Sequence, residues 1–333
     1  MTAKLLMIGA IFCALHAYAA QSQEVYQGIN IPGAEFNNKR LPGTPEKDYH
    51  WPTLKNFQQM KAAGFNTVRV PFLWDRLQPT PLGEFSETEI RQLDRVVQQT
   101  AQLQLNIVLD VHNYAAYDRH YLSNSNEDIA VFSDLWRRLS SRYKDYPHVI
   151  FGLMNEPNRQ PANVWFDLAQ AAVNVIRDSG ARQLILVPGT AWTGMHKWLT
   201  AGSAGSNADV LLSISDPANH YAYEMHQYFD RDYSGTHTEC VDSQRFVGQF
   251  EKVNDWLRSH GKQAFLGEFG ASLAPECLED LKTTMDILNK NKDLWIGWTY
   301  WATSDWMKTY MFNPLTDDPA DARLKILQDS LSK

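Results

Sequence analysis

Two glutamates in short motifs are the residues of this 333-residue chain that could most directly do chemistry. Glu156 lies between Asn155 and Pro157, and Glu268 follows Gly267. Two carboxyl groups, one protonated and one ionised, are what cleavage of a glycosidic bond needs. The proline predicts an extended backbone for Glu156, because Pro disfavours the helical region at the preceding residue. The pair predicts acid–base chemistry on a glycosidic bond, provided that the fold brings the carboxyl groups together.

The elements that would position these glutamates follow a repeated pattern of a short apolar run and a longer amphipathic run. Eight apolar or β-branched runs predict strands over residues 25–31, 67–72, 106–111, 149–154, 183–187, 223–228, 263–267 and 295–301. Runs with helical periodicity predict helices over residues 54–63, 87–103, 128–143, 164–179, 244–260 and 278–289. Glycines end three of these helices: Gly64, Gly180 and Gly261.

Strands that are apolar on both faces and alternate with helices are typical of a parallel sheet. Eight such units predict an α/β fold, a single (β/α)8 TIM barrel that forms one catalytic domain over residues 21–333. A doubly wound open sheet is the alternative. Such a sheet usually carries a glycine-rich phosphate loop after its first strand, and residues 30–33, NIPG, have no GxGxxG pattern.

Polar and aromatic residues follow the predicted strands at their carboxyl ends, where barrels of this kind build their active sites. These residues are Arg69, His112, Asn113, Asn155, Glu156, His226, Tyr228, Glu268 and Trp301. One such residue at one strand end is unremarkable. Several strand ends that present them to one mouth of a barrel predict a functional site.

The composition disfavours two classes of partner. The chain has 31 Lys and Arg against 38 Asp and Glu, a net charge of −7, whereas nucleic-acid binding favours a basic face. Beyond the first residues, no segment reaches about 18 apolar residues, so we expect no membrane anchor. Eleven tryptophans are more than core packing alone requires.

The N-terminal 20 residues have the pattern of a secretory signal peptide. Lys4 precedes an apolar run over residues 5–15, and residues 17–19, AYA, form a small-x-small cleavage pattern. We therefore expect cleavage near residues 19–21 and a secreted protein, extracellular or periplasmic.

Two cysteines, Cys240 and Cys277, remain in the mature chain. An even pair in an exported chain predicts one disulfide, which would join the loops after the sixth and seventh strands. Two free buried thiols are the alternative.

The chain resembles glycoside hydrolase family 5, the large cellulase family of barrels with an Asn-Glu-Pro motif. The matching segments are GINIPG (28–33), RVP (69–71), LDVHNY (109–114), FGLMNEP (151–157), MHQY (225–228) and GEFG (267–270). The segment SGTHTEC (234–240) resembles the secreted endoglucanase branch of that family. The resemblance extends from about residue 27 to residue 308. Residues 34–50 have few landmarks that align, which leaves their role in the outer subsites open.

The resemblance assigns the two carboxyl groups to different steps. Glu156 matches the general acid/base and Glu268 the nucleophile of a retaining double displacement. Arg69 and Tyr228 match the groups that hold the nucleophile, and a guanidinium beside Glu268 would favour its charged form. Burial and a second carboxylate would favour the protonated form of Glu156. We therefore expect the carboxyl groups to lie about 5–5.5 Å apart, rather than at the inverting separation of roughly 6.5–9.5 Å.

The remaining matched residues would bind substrate. Asn155 matches the residue that hydrogen-bonds the 2-hydroxyl of the −1 sugar, and Trp301 matches the platform beneath that sugar. A cis peptide bond between Trp301 and Ala302 is also implied. His112 and His226 match the histidines that line the site.

The resemblance also implies an activity. It implies an endo-β-1,4-glucanase, a cellulase, that acts on β-glucan as a monomer with no metal or cofactor. An endo-β-1,4-mannanase or a mixed-linkage glucanase with the same mechanism is the alternative.

Aromatic side chains that follow predicted strands are expected to line the cleft, because ring faces pack on the C–H faces of sugars. These side chains are Trp74, Trp192, Trp301, Trp306 and Tyr114.

Two other classes of protein are alternatives. A metal-dependent hydrolase could use Asp110, His112, His226 and Glu268 as ligands, although no His-x-His pair accompanies them. A barrel that binds glycans without cutting them would keep the tryptophans but needs no pair of glutamates. Activity in excess chelator separates the three classes.

Overall fold

Eight parallel strands form a closed barrel in the computed structural model, which describes residues 25–331. They are β1 (Tyr26–Asn30), β2 (Thr67–Phe72), β3 (Asn106–Val111), β4 (Val149–Gly152), β5 (Ile185–Pro188), β6 (Tyr221–His226), β7 (Ala264–Glu268) and β8 (Trp295–Tyr300). Strands adjacent in the chain pair with each other, and β1 closes the barrel against β8 with Tyr26 opposite Gly297. The predicted (β/α)8 barrel is confirmed. The predicted signal peptide lies outside the described residues.

A helix follows each strand before the next begins or the chain ends. The helices are α1 (Leu54–Ala62), α2 (Glu87–Gln102), α3 (Asn126–Tyr143), α4 (Ala162–Asp178), α5 (Asn207–Val210), α6 (Gln244–His260), α7 (Pro275–Lys290) and α8 (Ala322–Asp329). The six predicted helices are all present, with bounds that differ by at most three residues. Gly64, Gly180 and Gly261 have the expected positive φ values of 95°, 88° and 60°. The sequence did not predict α5 or α8, because neither is long enough to show a clear period.

The barrel interior is layered. An apolar cluster forms its floor, with Val108, Ile150, Leu184, Leu186, Ala222, Phe265 and Ile296. Two residues further along β3 and β6, on the same face, lie Asp110 and Glu224. Both carboxylates are fully buried and contact Arg69 from β2. His112 and His226 are the next residues on that face, so a charged layer separates the apolar floor from the mouth.

A disulfide joins Cys240, in the loop after β6, to Cys277 in the first turn of α7. The Cα atoms of the two cysteines lie 5.2 Å apart. The predicted bridge is confirmed, and it links two loops on the rim where the strands end. Among residues 25–331, no helix combines the length and the apolar character that crossing a membrane requires.

Candidate active site

Both carboxylate oxygens of Glu268, at the end of β7, accept hydrogen bonds from buried donors. Arg69 Nη1 lies 3.0 Å from Oε1, and the Tyr228 hydroxyl lies 2.8 Å from Oε2. Burial alone would lower the pKa of Arg69, but Asp110, Glu224 and Glu268 outweigh burial and raise that pKa. Burial and the charge of Glu268 raise the pKa of Tyr228 well above its usual range, so the hydroxyl keeps its proton and donates it. The structure therefore places Arg69 and Tyr228 around Glu268 as the resemblance implied.

Glu156 follows β4 and reaches the same point from the opposite side of the barrel. Its Oε1 lies 2.8 Å from Nδ1 of His226. The prediction of an extended backbone at Glu156 was wrong, since the residue has a φ of 45°, in the left-handed region. The backbone of the preceding residue is held on both sides, because Asn155 N donates to Val111 O and Asn155 O accepts from Tyr114 N. These hydrogen bonds fix the chain where it enters Glu156. A non-glycine residue in this region is held there by its surroundings, often at a functional site.

The two carboxyl groups lie close together. One oxygen of Glu156, one oxygen of Glu268 and one nitrogen of His226 all lie within 4.8 Å of one another. Oxygens of the two glutamates therefore approach each other closely enough to act on one bond.

Asn155 links the glutamates to the charged layer. Its Oδ1 accepts a hydrogen bond from Arg69 Nη2 at 2.9 Å, which fixes the orientation of the amide. Its Nδ2 lies 3.2 Å from Nε2 of His112. His112 Nδ1 contacts Asp110 Oδ2 at 2.7 Å, so the ring is held on both sides.

Trp301 provides an aromatic face beside this network. Its ring is partly buried and stacks near His112, with centroids 5.9 Å apart and planes 20° apart. The peptide bond between Trp301 and Ala302 is cis, as the resemblance implied.

Two cavities meet at Tyr114. One, of about 500 Å³, is lined by Glu156, Trp192, His226 and Tyr228 among others. The other, of about 620 Å³, is lined by His112, by residues of the loops after β1, β2 and β3, and by Asn158. Tyr114 lines both, so the two cavities are neighbours at the mouth of the barrel, and Glu156 lines one of them.

Trp192 and Trp306 are exposed near the mouth of the barrel, at 56% and 42% of their surface. Trp192 has a left-handed backbone with a φ of 58° and lines the 500 Å³ cavity. Trp306 stacks against His50, with ring centroids 4.3 Å apart, and lies beside Phe36. Residues 34–50 thus support an exposed aromatic side chain, but Trp306 lines neither of the two cavities.

Trp74 does not line the cleft, which corrects our prediction. Its ring is fully buried and stacks on Tyr117 at 3.9 Å, and its Nε1 donates to Gln78 Oε1. The chain after β2 forms a helical turn, Trp74–Leu77, that turns the indole into the core. A position directly after a strand does not decide which way a side chain turns.

Two groups of side chains within residues 25–331 have the composition of metal ligands. In the first, Glu156, His226 and Glu268, the His226 nitrogen and the Glu156 oxygen point at each other in a hydrogen bond. In the second, Asp230 with Asp232 and His237, the Asp230 carboxylate accepts hydrogen bonds from backbone amides of its own loop. Both arrangements are explained by their internal hydrogen bonds.

Sequence reasoning missed Asn30 and Glu224 as parts of the site and considered Asp110 only as a ligand in the metal-dependent alternative. Asn30 accepts a hydrogen bond from Arg69 at 2.9 Å, and the two acids contact the same guanidinium. The spacing Asp110-x-His112 and Glu224-x-His226 was the available signal, because residues two apart on a strand share a face.

Comparison with known proteins agrees with this geometry. The family model of cellulase (glycosyl hydrolase family 5) matches residues 26–304. Endo-beta-1,4-glucanase B of Emericella nidulans is 34% identical over 287 residues, 86% of this chain and 84% of the relative. An endo-beta-1,4-glucanase structure from Xanthomonas axonopodis pv. citri is 38% identical with a TM-score of 0.88, covering 92% of this chain and 98% of that one. Endoglucanase Cel5A of Pseudomonas stutzeri, solved with cellobiose, is 29% identical with a TM-score of 0.83 and covers 92% of each chain. By the family model over residues 26–304 and by the identity and coverage of these relatives, the chain belongs to glycoside hydrolase family 5.

Proposed function

We propose that this protein is a retaining endo-β-1,4-glucanase, with Glu268 as the nucleophile and Glu156 as the general acid/base. The observation that carries the proposal is the short separation of the two carboxyl groups, together with their different partners. Glu268 accepts hydrogen bonds from a guanidinium and a phenol, one on each oxygen, which fix its position. Glu156 lines the open cavity, where a leaving group could take its proton.

The reaction has two steps on the two faces of the sugar. In the first, Glu268 attacks the anomeric carbon while Glu156 protonates the departing glycosidic oxygen. In the second, Glu156 removes a proton from water, which attacks the same carbon and releases Glu268. Asn155 and Trp301 flank the position of the reacting sugar, where Asn155 would hold the 2-hydroxyl and Trp301 would support the ring.

The shape of the site favours attack within a polymer rather than at its end. Two neighbouring cavities share Tyr114, and exposed Trp192 in the cavity of Glu156 offers a ring face to a further sugar. The relatives named as endo-beta-1,4-glucanases support β-1,4-glucan as the substrate. The disulfide suits an oxidising compartment, so we propose a secreted protein, in agreement with the predicted signal peptide.

The substrate is tested by release of reducing sugar from carboxymethyl cellulose, β-mannan, xylan and barley glucan, each with and without excess chelator. We expect cleavage of the glucans that chelator does not affect. Preference for mannan would replace the substrate but keep the mechanism. Loss of activity in chelator would contradict the two-carboxylate mechanism, and activity on none of them would contradict the proposal.

The roles of the two glutamates are tested by azide rescue of alanine variants on an activated aryl β-cellobioside. Glu156→Ala should still form the glycosyl-enzyme, because this leaving group needs no proton, and azide should then give the β-azide. Glu268→Ala should give the inverted α-azide by direct attack. Exchanged product configurations would reverse the two assignments.

A further inference from the structure

Glu224 is a buried carboxylate to which the mechanism above gives no task. It is fully buried in β6, and its Oε1 lies 3.0 Å from Arg69 Nε and 3.4 Å from His226 Nε2. Its Oε2 is buried and has no hydrogen-bond partner among residues 25–331. Gly267 leaves the space for it, since a Cβ there would lie 2.3 Å from Glu224 Oε1. The neighbouring strand, β7, therefore has a glycine at the position where a side chain would collide with this carboxylate.

We propose that Glu224 is a positioning residue for the hydrolysis proposed above. By accepting a hydrogen bond from Nε2 of His226, it stabilises the doubly protonated ring, whose other proton, on Nδ1, points at Oε1 of Glu156. The inference rests on the proposed function for its effect on catalysis, but the state of the His226 ring can be measured without any substrate.

Carboxylates face His226 from its own strand, from β3 and β7 and from the loop after β4, whereas the loop after β5 contacts it through the backbone of Thr193. Glu156 from the loop after β4 lies 2.8 Å from Nδ1, and Glu268 from β7 lies 3.6 Å from the same atom. Glu224 faces Nε2 from the same strand, and Asp110 on β3 also interacts with the ring charge. Burial alone would lower the pKa of His226, but these carboxylates outweigh it and raise the pKa to about 10. At neutral pH the ring is thus an imidazolium, in which both nitrogens donate.

The protonation of His226 decides which oxygen of Glu156 can carry the acid proton. With a proton on Nδ1, Oε1 of Glu156 is an acceptor, so the transferable proton lies on Oε2. Within residues 25–331, the hydrogen bond found to this carboxyl group is the one to Oε1, which leaves Oε2 available to a substrate in the cavity. If Nδ1 loses its proton, the nitrogen becomes an acceptor and takes the Glu156 proton in a hydrogen bond. That proton is then directed away from the glycosidic oxygen.

The pair formed by Asp110 and His112 shows why Glu224 is the acid that matters here. Both acids lie two residues before a histidine and both contact Arg69. Asp110 contacts Nδ1 of His112, so that ring presents Nε2 to Asn155 and Tyr114. Glu224 contacts the opposite nitrogen of its histidine, and this ring therefore presents Nδ1 to the catalytic carboxyl groups.

The experiment compares Glu224→Gln with the wild type and with Glu89→Gln. Glutamine keeps the shape and an acceptor oxygen but removes the charge. Glu89 is an equally buried carboxylate on α2 that accepts hydrogen bonds from Tyr49 and Trp51, away from the site. Nitrogen chemical shifts of labelled His226 report the protonation of both ring atoms across pH. We expect the pKa of His226 to fall by about one unit or more in Glu224→Gln and to stay unchanged in Glu89→Gln.

The rate of hydrolysis should follow the protonation of the His226 ring. In Glu224→Gln, kcat for cello-oligosaccharides should fall by up to about 10-fold at alkaline pH, above the lowered pKa of His226, and should change little near neutral pH, with KM little changed throughout. The alkaline limb of its pH profile should move to lower pH. Formation of the glycosyl-enzyme from a dinitrophenyl β-cellobioside, which needs no acid, should change by less than about threefold. In Glu89→Gln the pH profile should be that of the wild type, even if its melting temperature falls.

The outcomes separate the two proposals. An unchanged His226 titration and an unmoved alkaline limb in Glu224→Gln would overturn the role of Glu224. A wild-type protein that cleaves no glycan would overturn the proposed function, while the His226 titration would still test the contact. If Glu224→Gln fails to fold, Glu224→Asp keeps the charge but withdraws it from the ring. That variant should give a smaller fall in the His226 pKa, and no fall would count against the proposal.

Discussion

A single guanidinium connects most of the side chains that the site needs. Arg69 donates to Asn30, Asn155 and Glu268 at 2.9–3.0 Å, and two carboxylates of the charged layer contact it as well. A planar group with five donors can serve several acceptors at once, whereas an ammonium offers three donors from one point. The geometry of the acceptors, and not the charge alone, therefore requires arginine.

Arg69→Lys should reduce kcat by about 100-fold or more, because lysine keeps the charge but loses the fixed fork that orients Glu268. Its melting temperature should also fall, since buried acceptors lose their donors. Steady-state kinetics and thermal unfolding check both effects. Arg177→Lys is the matched control, because Arg177 is a buried arginine paired with Asp216 away from the site. It should lower stability alone, and equal kinetic losses in the two variants would contradict the assignment.

Trp192 and Trp74 should respond to substitution in opposite ways. Trp192→Ala removes an exposed ring face, so KM for long cello-oligosaccharides should rise several-fold, about 1 kcal/mol of binding, at unchanged stability. Trp74→Ala empties a fully buried site and should cost about 3–5 kcal/mol of unfolding free energy. Calorimetry and kinetics on both variants measure the contrast. A stable Trp74→Ala with weakened substrate binding would restore Trp74 to the cleft.

Residue identity could be predicted further than residue conformation. Arg69, Tyr228 and the two glutamates were found because each lies in or after a strand near its carboxyl end, and parallel strands of a barrel bring these ends to one mouth. The left-handed backbone of Glu156 could not be found, because local preference favours an extended form and tertiary hydrogen bonds overrule it. The prediction for Trp74 was wrong for a related reason. The direction of its side chain after β2 depends on packing against Tyr117, which lies far away in the sequence.

At the scale of elements, the rim loops after β6 and β7 are tied at more than one point. The disulfide joins Cys240 to Cys277, and Ser272 Oγ donates to Thr238 O at 2.6 Å. Tyr228, which donates a hydrogen bond to Glu268, begins the first of these loops. The ties therefore act on a segment that carries part of the site.

Replacing both cysteines by serine should cost roughly 3–4 kcal/mol of unfolding free energy, from the loop entropy of the 37-residue separation. Urea unfolding of the variant and of the wild type, each with and without reductant, measures the difference. Reductant should destabilise the wild type alone. A variant as stable as the oxidised wild type would show that other rim contacts are sufficient.

Long elements were predictable and short ones were not. The eight strands and six of the helices follow from apolar runs and helical periods in the sequence. The four-residue helix α5 and the hairpin of Ala116–Tyr117 with His120–Tyr121 depend on packing rather than on local pattern. The support that residues 34–50 give to Trp306 was equally invisible, because it joins segments far apart in the chain.

At the scale of the whole molecule, a buried carboxyl group among other acids makes the stability of the fold depend on pH. Asp280 on α7 is buried, and its Oδ2 has no hydrogen-bond partner among residues 25–331. Burial, and then the charges of Asp242, Glu276 and Glu279, raise its pKa to about 7. The folded state therefore binds this proton more tightly than the unfolded state does. Its contribution to stability is complete below the unfolded pKa near 4 and is lost as pH rises through 7.

Asp280→Asn should remove that dependence. The variant should melt above the wild type at pH 8, where the wild type must keep a buried charge, and should show no such advantage at pH 4. Thermal unfolding at a series of pH values measures the difference. Glu279→Gln, on the same helix, is the control and should give a smaller gain. Parallel melting curves for Asp280→Asn and the wild type at every pH would contradict the assignment.

The seam between β1 and β8 sets an order of events for a chain that folds. Asn30 in β1 donates Nδ2 to Thr299 O, 269 positions away in the chain, and to Gly267 O, and accepts from Arg69 through Oδ1. Contacts between such distant segments form slowly, because the intervening chain must first be brought together. A partly folded chain in which only β2 to β7 have paired would contain both glutamates. Arg69 would still lack its hydrogen bond to Asn30 on β1. During refolding, hydrolytic activity should therefore return only when β1 and β8 have paired. It should return later than the circular dichroism signal of the helices.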